Sequence, residues 1–187
     1  MRTEQRIWTS ENGWNVSSCN LPEAQLVLVF IGIDVENQAQ LLNELKSAYP
    51  NSDIVFCSTA GEIAKNEILD NSAVCTALYF NQTPLKIHRI EIKDTDESEK
   101  CGIEIAKTLM SDDLKGVFII SEGTLTNGDF LIKGVNDNIP NTVLVTGGLA
   151  GDAGRFTQTF VGMNEVARPG VIVAVGFYGN NIQMSHG

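Results

Sequence analysis

A chain of 187 residues with 43% hydrophobic content is long enough to bury one sizeable core. Thirteen Lys and Arg against 23 Asp and Glu give a formal charge of −10, which disfavours phosphate backbones and anionic bilayers and so excludes nucleic acid and membrane surfaces as partners. The first residues lack the apolar run of a secretory signal, and no stretch approaches the ~18 apolar residues of a membrane span, so the chain reads as cytoplasmic. Its four cysteines form no Cys-x-x-Cys pair and read as reduced thiols.

In chain order, the first strong element is Leu26-Val-Leu-Val-Phe-Ile31, an apolar, β-branched run that predicts a strand buried on both faces. Leu41, Leu42 and Leu45 recur at helical spacing and Pro50 stops that helix. A second strand follows at Asp53-Ile-Val-Phe-Cys57, parallel to the first as a βαβ unit requires. Two further strands are expected at Ala73 to Phe80 and Leu85 to Ile92. The acidic run Lys93 to Lys100 reads as a solvated loop entering a helix from about Glu97 to Met110, with Ile103, Ile105, Ala106 and Leu109 as its apolar stripe.

The same order then recurs. A strand is predicted at Gly116 to Ile120, a helix with Phe130, Leu131 and Val135 on its apolar face, and a strand at Thr142 to Thr146. Arg155 to Val161 alternates like a strand, and strands follow at Val171 to Tyr178 and from Ile182 onward. A shift of ninety positions lays Val27–Gly61 on Val117–Gly151 without a gap, matching Val27 with Val117, Pro50 with Pro140, Val55 with Val145 and Gly61 with Gly151. After a nine-residue insertion the register resumes with Val74 on Val173 and Tyr79 on Tyr178. The expected fold class is α/β: mixed β-sheets with flanking helices, built from an internal duplication of a β-α-β-β-β unit. The copies span about 26–92 and 116–187 within one domain over 1–187.

In both copies the second strand runs into small residues and then a carboxylate: Ser58-Thr-Ala-Gly-Glu62 and Gly148-Leu-Ala-Gly-Asp152. Glycine permits close backbone approach, small neighbours leave room against exposed amides, and a carboxylate accepts from an amine or hydroxyl of a ligand. Loops at corresponding strand ends face a common cleft in α/β proteins. Cys57, Ser58, Thr59, Gly61, Glu62, Gly147, Gly148, Gly151 and Asp152 are therefore the candidate ligand-binding residues. The plainer alternative is that Ala-Gly only makes tight turns that seat helices on the sheet, and both readings stay open here.

Leu26-Val-Leu-Val-Phe30, Cys57-Ser-Thr-Ala-Gly-Glu-Ile63 and Gly147-Gly-Leu-Ala-Gly-Asp152, followed by Phe156 and Thr159, together resemble the N-terminal part of the FIST domain. The resemblance runs from about Leu21 to Gly187. It implies a sensory module of signal transduction that binds a small ligand, an amino acid or related metabolite. The implied signalling partner is a histidine kinase or a cyclic-dinucleotide enzyme. The C-terminal FIST region that normally follows does not occur in these 187 residues, so the reading expects a larger natural protein whose site is completed beyond Gly187.

Some FIST proteins bind haem and report nitric oxide to a kinase, which requires an axial ligand. No cofactor is required by the main reading; if haem binds, His186 is the candidate ligand, whereas His88 lies on the polar face of an alternating strand. No enzyme template fits: the glycine cluster at 147–154 lacks Gly-Lys-Ser or Gly-Lys-Thr and has the wrong spacing for a dinucleotide fingerprint, and no Gly-x-Ser-x-Gly elbow occurs. The expectation is a binding domain, not an enzyme. Its enzymatic competitor is a hydrolase using Glu62 and Asp152 as an acid–base pair. A third class, a pure interaction domain presenting Trp8 and Trp14, competes with the plainer reading of both as packing residues.

Overall fold

The computed structural model describes residues 1–15 and 19–185. A hairpin of β1 (Arg2–Thr9) and the short β2 (Gly13–Trp14) precedes β3 (Leu26–Gly32), α1 (Gln38–Ala48) and β4 (Asp53–Thr59). The small hairpin β5 (Glu62–Ala64) and β6 (Glu67–Leu69) leads to β7 (Ser72–Tyr79), β8 (Leu85–Glu91) and α2 (Ser98–Leu109). The chain closes with β9 (Leu114–Ser121), α3 (Gly128–Asn136), β10 (Leu144–Leu149), β11 (Val161–Met163) and β12 (Val171–Tyr178).

These strands make a six-stranded sheet in the order β11-β4-β3-β7-β1-β2, a four-stranded sheet in the order β10-β9-β12-β8, and the separate β5-β6 hairpin. Both larger sheets are mixed. In each, a helix-linked parallel pair (β3 with β4, β9 with β10) is flanked on the far side of its first strand by an antiparallel partner, β7 or β12. The fold is the expected mixed α/β.

Alternation across the pleat distributes the apolar runs between two faces. On one side Val27, Val29, Ile31, Ile54 and Phe56 pack with Leu41, Leu42 and Leu45 of α1. On the second sheet Val117, Ile119, Ile172 and Ala174 pack with Ile105, Leu109, Leu131 and Val135 of α2 and α3. The opposite faces meet each other: Leu26, Val55 and Cys57 of the first sheet share a cluster with Ile120, Val171, Val173 and Phe177 of the second. The result is four layers, helix, sheet, sheet, helix. Every residue of β12 is buried, because it is central in its sheet and covered on both faces. Each such Val, Ile or Phe side chain stabilises the fold by about 1.5–3 kcal/mol.

The helix layer over the second sheet depends on two glycines. A Cβ on Gly102 would lie 2.2 Å from the Leu131 carbonyl oxygen, and one on Gly134 would lie 2.2 Å from that of Glu99. The α2 and α3 backbones therefore touch. At the start of α3, Asn127 caps the helix by accepting from the Phe130 amide at 3.1 Å.

Four expectations about strands are corrected. The β8 strand pairs over seven positions with β12 and belongs to the second sheet, not to the first unit in which sequence order placed it. Alternation identifies a strand without saying which sheet edge it joins, and Leu85 and Ile87 settle it by packing between the sheets. The ungapped ninety-residue match slips by one in the second strand of each pair: Val27 pairs with Ile54, whereas Val117 pairs with Val145, ninety-one positions beyond Ile54. Val55 and Val145 thus face opposite layers. Residues 155–160 form a loop, with only Val161–Met163 in a strand, and 182–185 are not a strand. Phe156, at φ +53°, turns the first stretch out of an extended path, and Gly179, at φ +87°, turns the chain just before the second.

Trp8 is buried in the core around α1, and half-buried Trp14 donates from Nε1 to Glu44 at 2.8 Å, so both pack rather than project. Phe130, read as part of the α3 apolar face, is instead half exposed. Among the described residues, no helix is long and apolar enough to cross a membrane.

Candidate functional site

The carboxyl ends of β4 and β10 bring the two glycine loops into direct contact. The Gly151 amide donates to the Ser58 carbonyl at 2.9 Å, and the Ser58 hydroxyl donates back to the Gly151 carbonyl at 2.8 Å. Ser58 also exchanges bonds with the approach to β11: its amide donates to the Phe160 carbonyl at 2.9 Å, and its hydroxyl accepts from the Phe160 amide at 2.9 Å. Glycine at 151 is a matter of space, since a Cβ there would sit 3.1 Å from the Ala60 amide nitrogen.

Beside this junction lies a concavity of about 370 Å³ lined by Ala60, Gly123, Thr124, Gly151, Asp152, Phe156 and Thr159, among others. Its far wall comes from the end of β9, where the Gly123 amide donates to the Thr159 hydroxyl at 2.6 Å. Phe156 stands over the concavity with 91% of its surface exposed. Its loop is unusual: Ala153 and Phe156, neither a glycine, hold φ of +57° and +53°. Such residues cost of order 1–3 kcal/mol each and persist only where neighbours hold them.

Asp152 is what holds them. Its carboxylate accepts from the amides of Phe156, Thr157 and Gln158 at 3.0, 2.7 and 3.2 Å. These amides, Thr157 foremost, keep its carboxyl below the usual aspartate range. Arg155, next in the loop, reaches back to the Asp34 carboxylate at 2.8 and 2.5 Å. Both partners are half exposed, so the pair orients the loop more than it stabilises it.

The remaining predicted residues divide. Glu62 is buried and its two oxygens accept from the Thr59 hydroxyl at 2.6 Å and from the Ser72 amide and hydroxyl at 3.1 and 2.8 Å. Cys57 points into the layer between the sheets, where burial pushes its thiol up to about 12. Gly147 and Gly148 lie within β10 itself and border a separate groove of about 650 Å³ between β10 and α3. Of the nine residues expected in one cleft, Gly151 and Asp152 line the concavity, with Ala60 between Thr59 and Gly61 joining them.

One buried carboxylate was not foreseen. Glu122, at the end of β9, is fully buried and accepts from the Thr124 amide at 3.2 Å, the Thr124 hydroxyl at 2.7 Å and the Leu125 amide. Ser121-Glu-Gly-Thr124 breaks a long apolar run with small and polar residues, which is the sequence signal that marks it.

The FIST N domain model matches residues 25–187, most of the chain. The chain belongs to the FIST family. FIST domains form a sensory, signal-transduction family. No curated protein matches the chain. Within this FIST domain the matched span contains both strand-end loops, the concavity and α1, α2 and α3, while β1 and β2 precede it. His88 lies 3.3 Å from Glu104 of α2, on the helix side of the second sheet. His186, the candidate haem ligand, falls outside the described residues. Among the described residues, no cluster of three or more His, Cys, Asp and Glu has the arrangement to hold a metal ion.

Proposed function

We propose that this FIST domain is a small-ligand receptor whose binding site is the concavity between the β4 and β10 loops and the end of β9. The observation that carries the reading is the Asp152 loop. Three backbone amides are spent on one carboxylate to hold a left-handed, strained segment that places an exposed aromatic ring over a cavity. Natural chains keep such segments chiefly where function needs them.

The lining suits a molecule with a small apolar part and polar ends, the chemistry of an amino acid or a related metabolite. Phe156, Ala60 and Leu149 offer apolar contact, and the hydroxyl oxygens of Thr124 and Thr159, though already bonded to Glu122 and Gly123, retain capacity to accept. Binding without transformation is supported by the carboxylates: Glu62 is buried and does not line the concavity, and both it and Asp152 accept from local donors, which disfavours acid–base work by the pair. Occupancy would shift the Phe156 loop and pass that change to a signalling partner in the cytoplasm, such as a histidine kinase or a cyclic-dinucleotide enzyme.

A thermal-shift series with individual amino acids tests this directly, because a ligand that binds only the native state raises the melting temperature by mass action. The expected result is a concentration-dependent rise with at least one of them, lost in Phe156→Ala and in Thr124→Val. A rise that survives both substitutions places the site elsewhere and defeats the proposal.

A further inference from the structure

The two sheets differ in how their outer edges end. In the first, β11 covers the free side of β4 antiparallel, pairing Val161 with Cys57, Gly162 with Phe56 and Met163 with Val55. In the second, the strand at the corresponding place, β10, ends the sheet, with no strand on its outer side among the described residues. The β5-β6 hairpin, which follows β4 as the β11 segment follows β10, pairs with itself instead of crossing over.

An open edge of this kind is normally blunted by charge, by proline or by shortness. The other edge of the same sheet, β8, carries Lys86, His88, Arg89 and Glu91, and the edges of the first sheet are two and three residues long. The β10 strand, Leu-Val-Thr-Gly-Gly-Leu, is six residues long with neither charge nor proline. Only glycine fits at 147: at φ +146°, a Cβ would sit 1.8 Å from the Ile119 carbonyl oxygen. Beside this edge runs the groove of about 650 Å³, floored by Ile119, Leu131 and Val145 and rimmed by Ile132, Asp129 and Lys133 of α3. Ile132 and Leu149 are 37% and 50% exposed there.

We propose that this edge is a self-association surface: β10 pairs with β10 of a second copy of the chain, joining the two four-stranded sheets across a two-fold axis. Three features favour a second copy. A strand paired with its own two-fold image is necessarily antiparallel, the sense that β11 adopts on β4. The β10 strand has the composition of the strand that fills the corresponding edge, uncharged and glycine-containing like Val161-Gly-Met163. The rim of the groove carries one acid and one base four residues apart on one helix, Asp129 and Lys133, a pair of charges that complements itself when one copy is turned against another by a two-fold axis. Lys133 already meets Glu99 and Asp137, so this pairing aligns the copies more than it binds them. The formal charge of −10 on each copy opposes association at low ionic strength, so added salt strengthens the dimer.

Sedimentation velocity and light scattering on the 187-residue chain decide the matter. The expected mass is twice 20.3 kDa, with the dimer fraction rising with concentration and salt. Gly148→Lys places a charge on the edge where a Cβ meets nothing within 4 Å, and it should return the mass to 20.3 kDa with an unchanged far-ultraviolet spectrum. Ile132→Glu on α3 should do the same. Ile68→Glu, on the exposed β5-β6 hairpin, should leave the dimer intact. A wild-type chain that stays monomeric throughout, or a dimer that survives both Gly148→Lys and Ile132→Glu, overturns the proposal. The ligand test above is read separately, through Phe156 and Thr124, which line the concavity and not the groove.

Discussion

Ser58 and Gly151 grip each other by two reciprocal hydrogen bonds, amide to carbonyl at 2.9 Å and hydroxyl to carbonyl at 2.8 Å, and this exchange joins the two halves of the molecule at their strand ends. Ser58→Ala removes the hydroxyl from a buried position and leaves the Gly151 carbonyl and the Phe160 amide without their partner. The expected loss is about 1–3 kcal/mol in unfolding free energy, read from the denaturant midpoint at unchanged slope. An unchanged midpoint would show that water replaces the hydroxyl at no cost.

Asp152 gives the fold a defined acid sensitivity. Its carboxyl is held below the ordinary aspartate value of about 3.9, so its contribution is complete above that value and is lost as pH falls through the lower, folded one. Asp152→Asn should melt lower than wild type at neutral pH, with the gap narrowing under acid. A gap of constant size from neutral pH down to acid would contradict the amide cradle as its source.

The glycine crossing of α2 and α3 predicts opposite outcomes for two chemically identical changes. Gly102→Ala drives a methyl group to 2.2 Å from the Leu131 carbonyl oxygen and should cost about 1–3 kcal/mol of overpacking despite the gain in helix propensity. Gly148→Ala meets nothing within 4 Å and should change stability by no more than about 0.5 kcal/mol. Thermal melts of the two variants side by side provide the comparison.

All four cysteines are free, and burial raises the thiols of Cys57 and Cys75 to about 12. Near pH 8 only roughly one part in ten thousand of each is thiolate, so an aromatic disulfide reagent should modify Cys19, the least buried, first. Cys57, Cys75 and Cys101 should react only with added denaturant. Rapid labelling of Cys57 in the native protein would place it at an open site instead of between the sheets.

Much of the fold was legible from periodicity. Leu41, Leu42 and Leu45 announced α1, the stripe through Ile105 and Leu109 announced α2, and the β-branched runs at 26–31 and 171–178 announced the two central strands. The candidate site was legible in part. Small residues before a carboxylate located both strand-end loops, but the same letters gave Glu62 and Asp152 roles facing a ligand, while the chain turns both toward its own donors. Glu122 carries only a weak sequence signal, the polar break at Ser121-Glu-Gly-Thr124, and only folding brings Thr159 to its side at 3.5 Å.

The sequence by itself determined the element types, their order, the mixed α/β class and the family, because hydrophobic period and local motifs are properties of neighbouring residues. Tertiary structure alone decided which sheet β8 joins, the one-residue slip that turns Val145 to the helix side, and that β11 covers β4 while β10 stays open. Each of these is a choice between strand pairings of similar local merit, and it is settled by contacts between residues far apart in the chain.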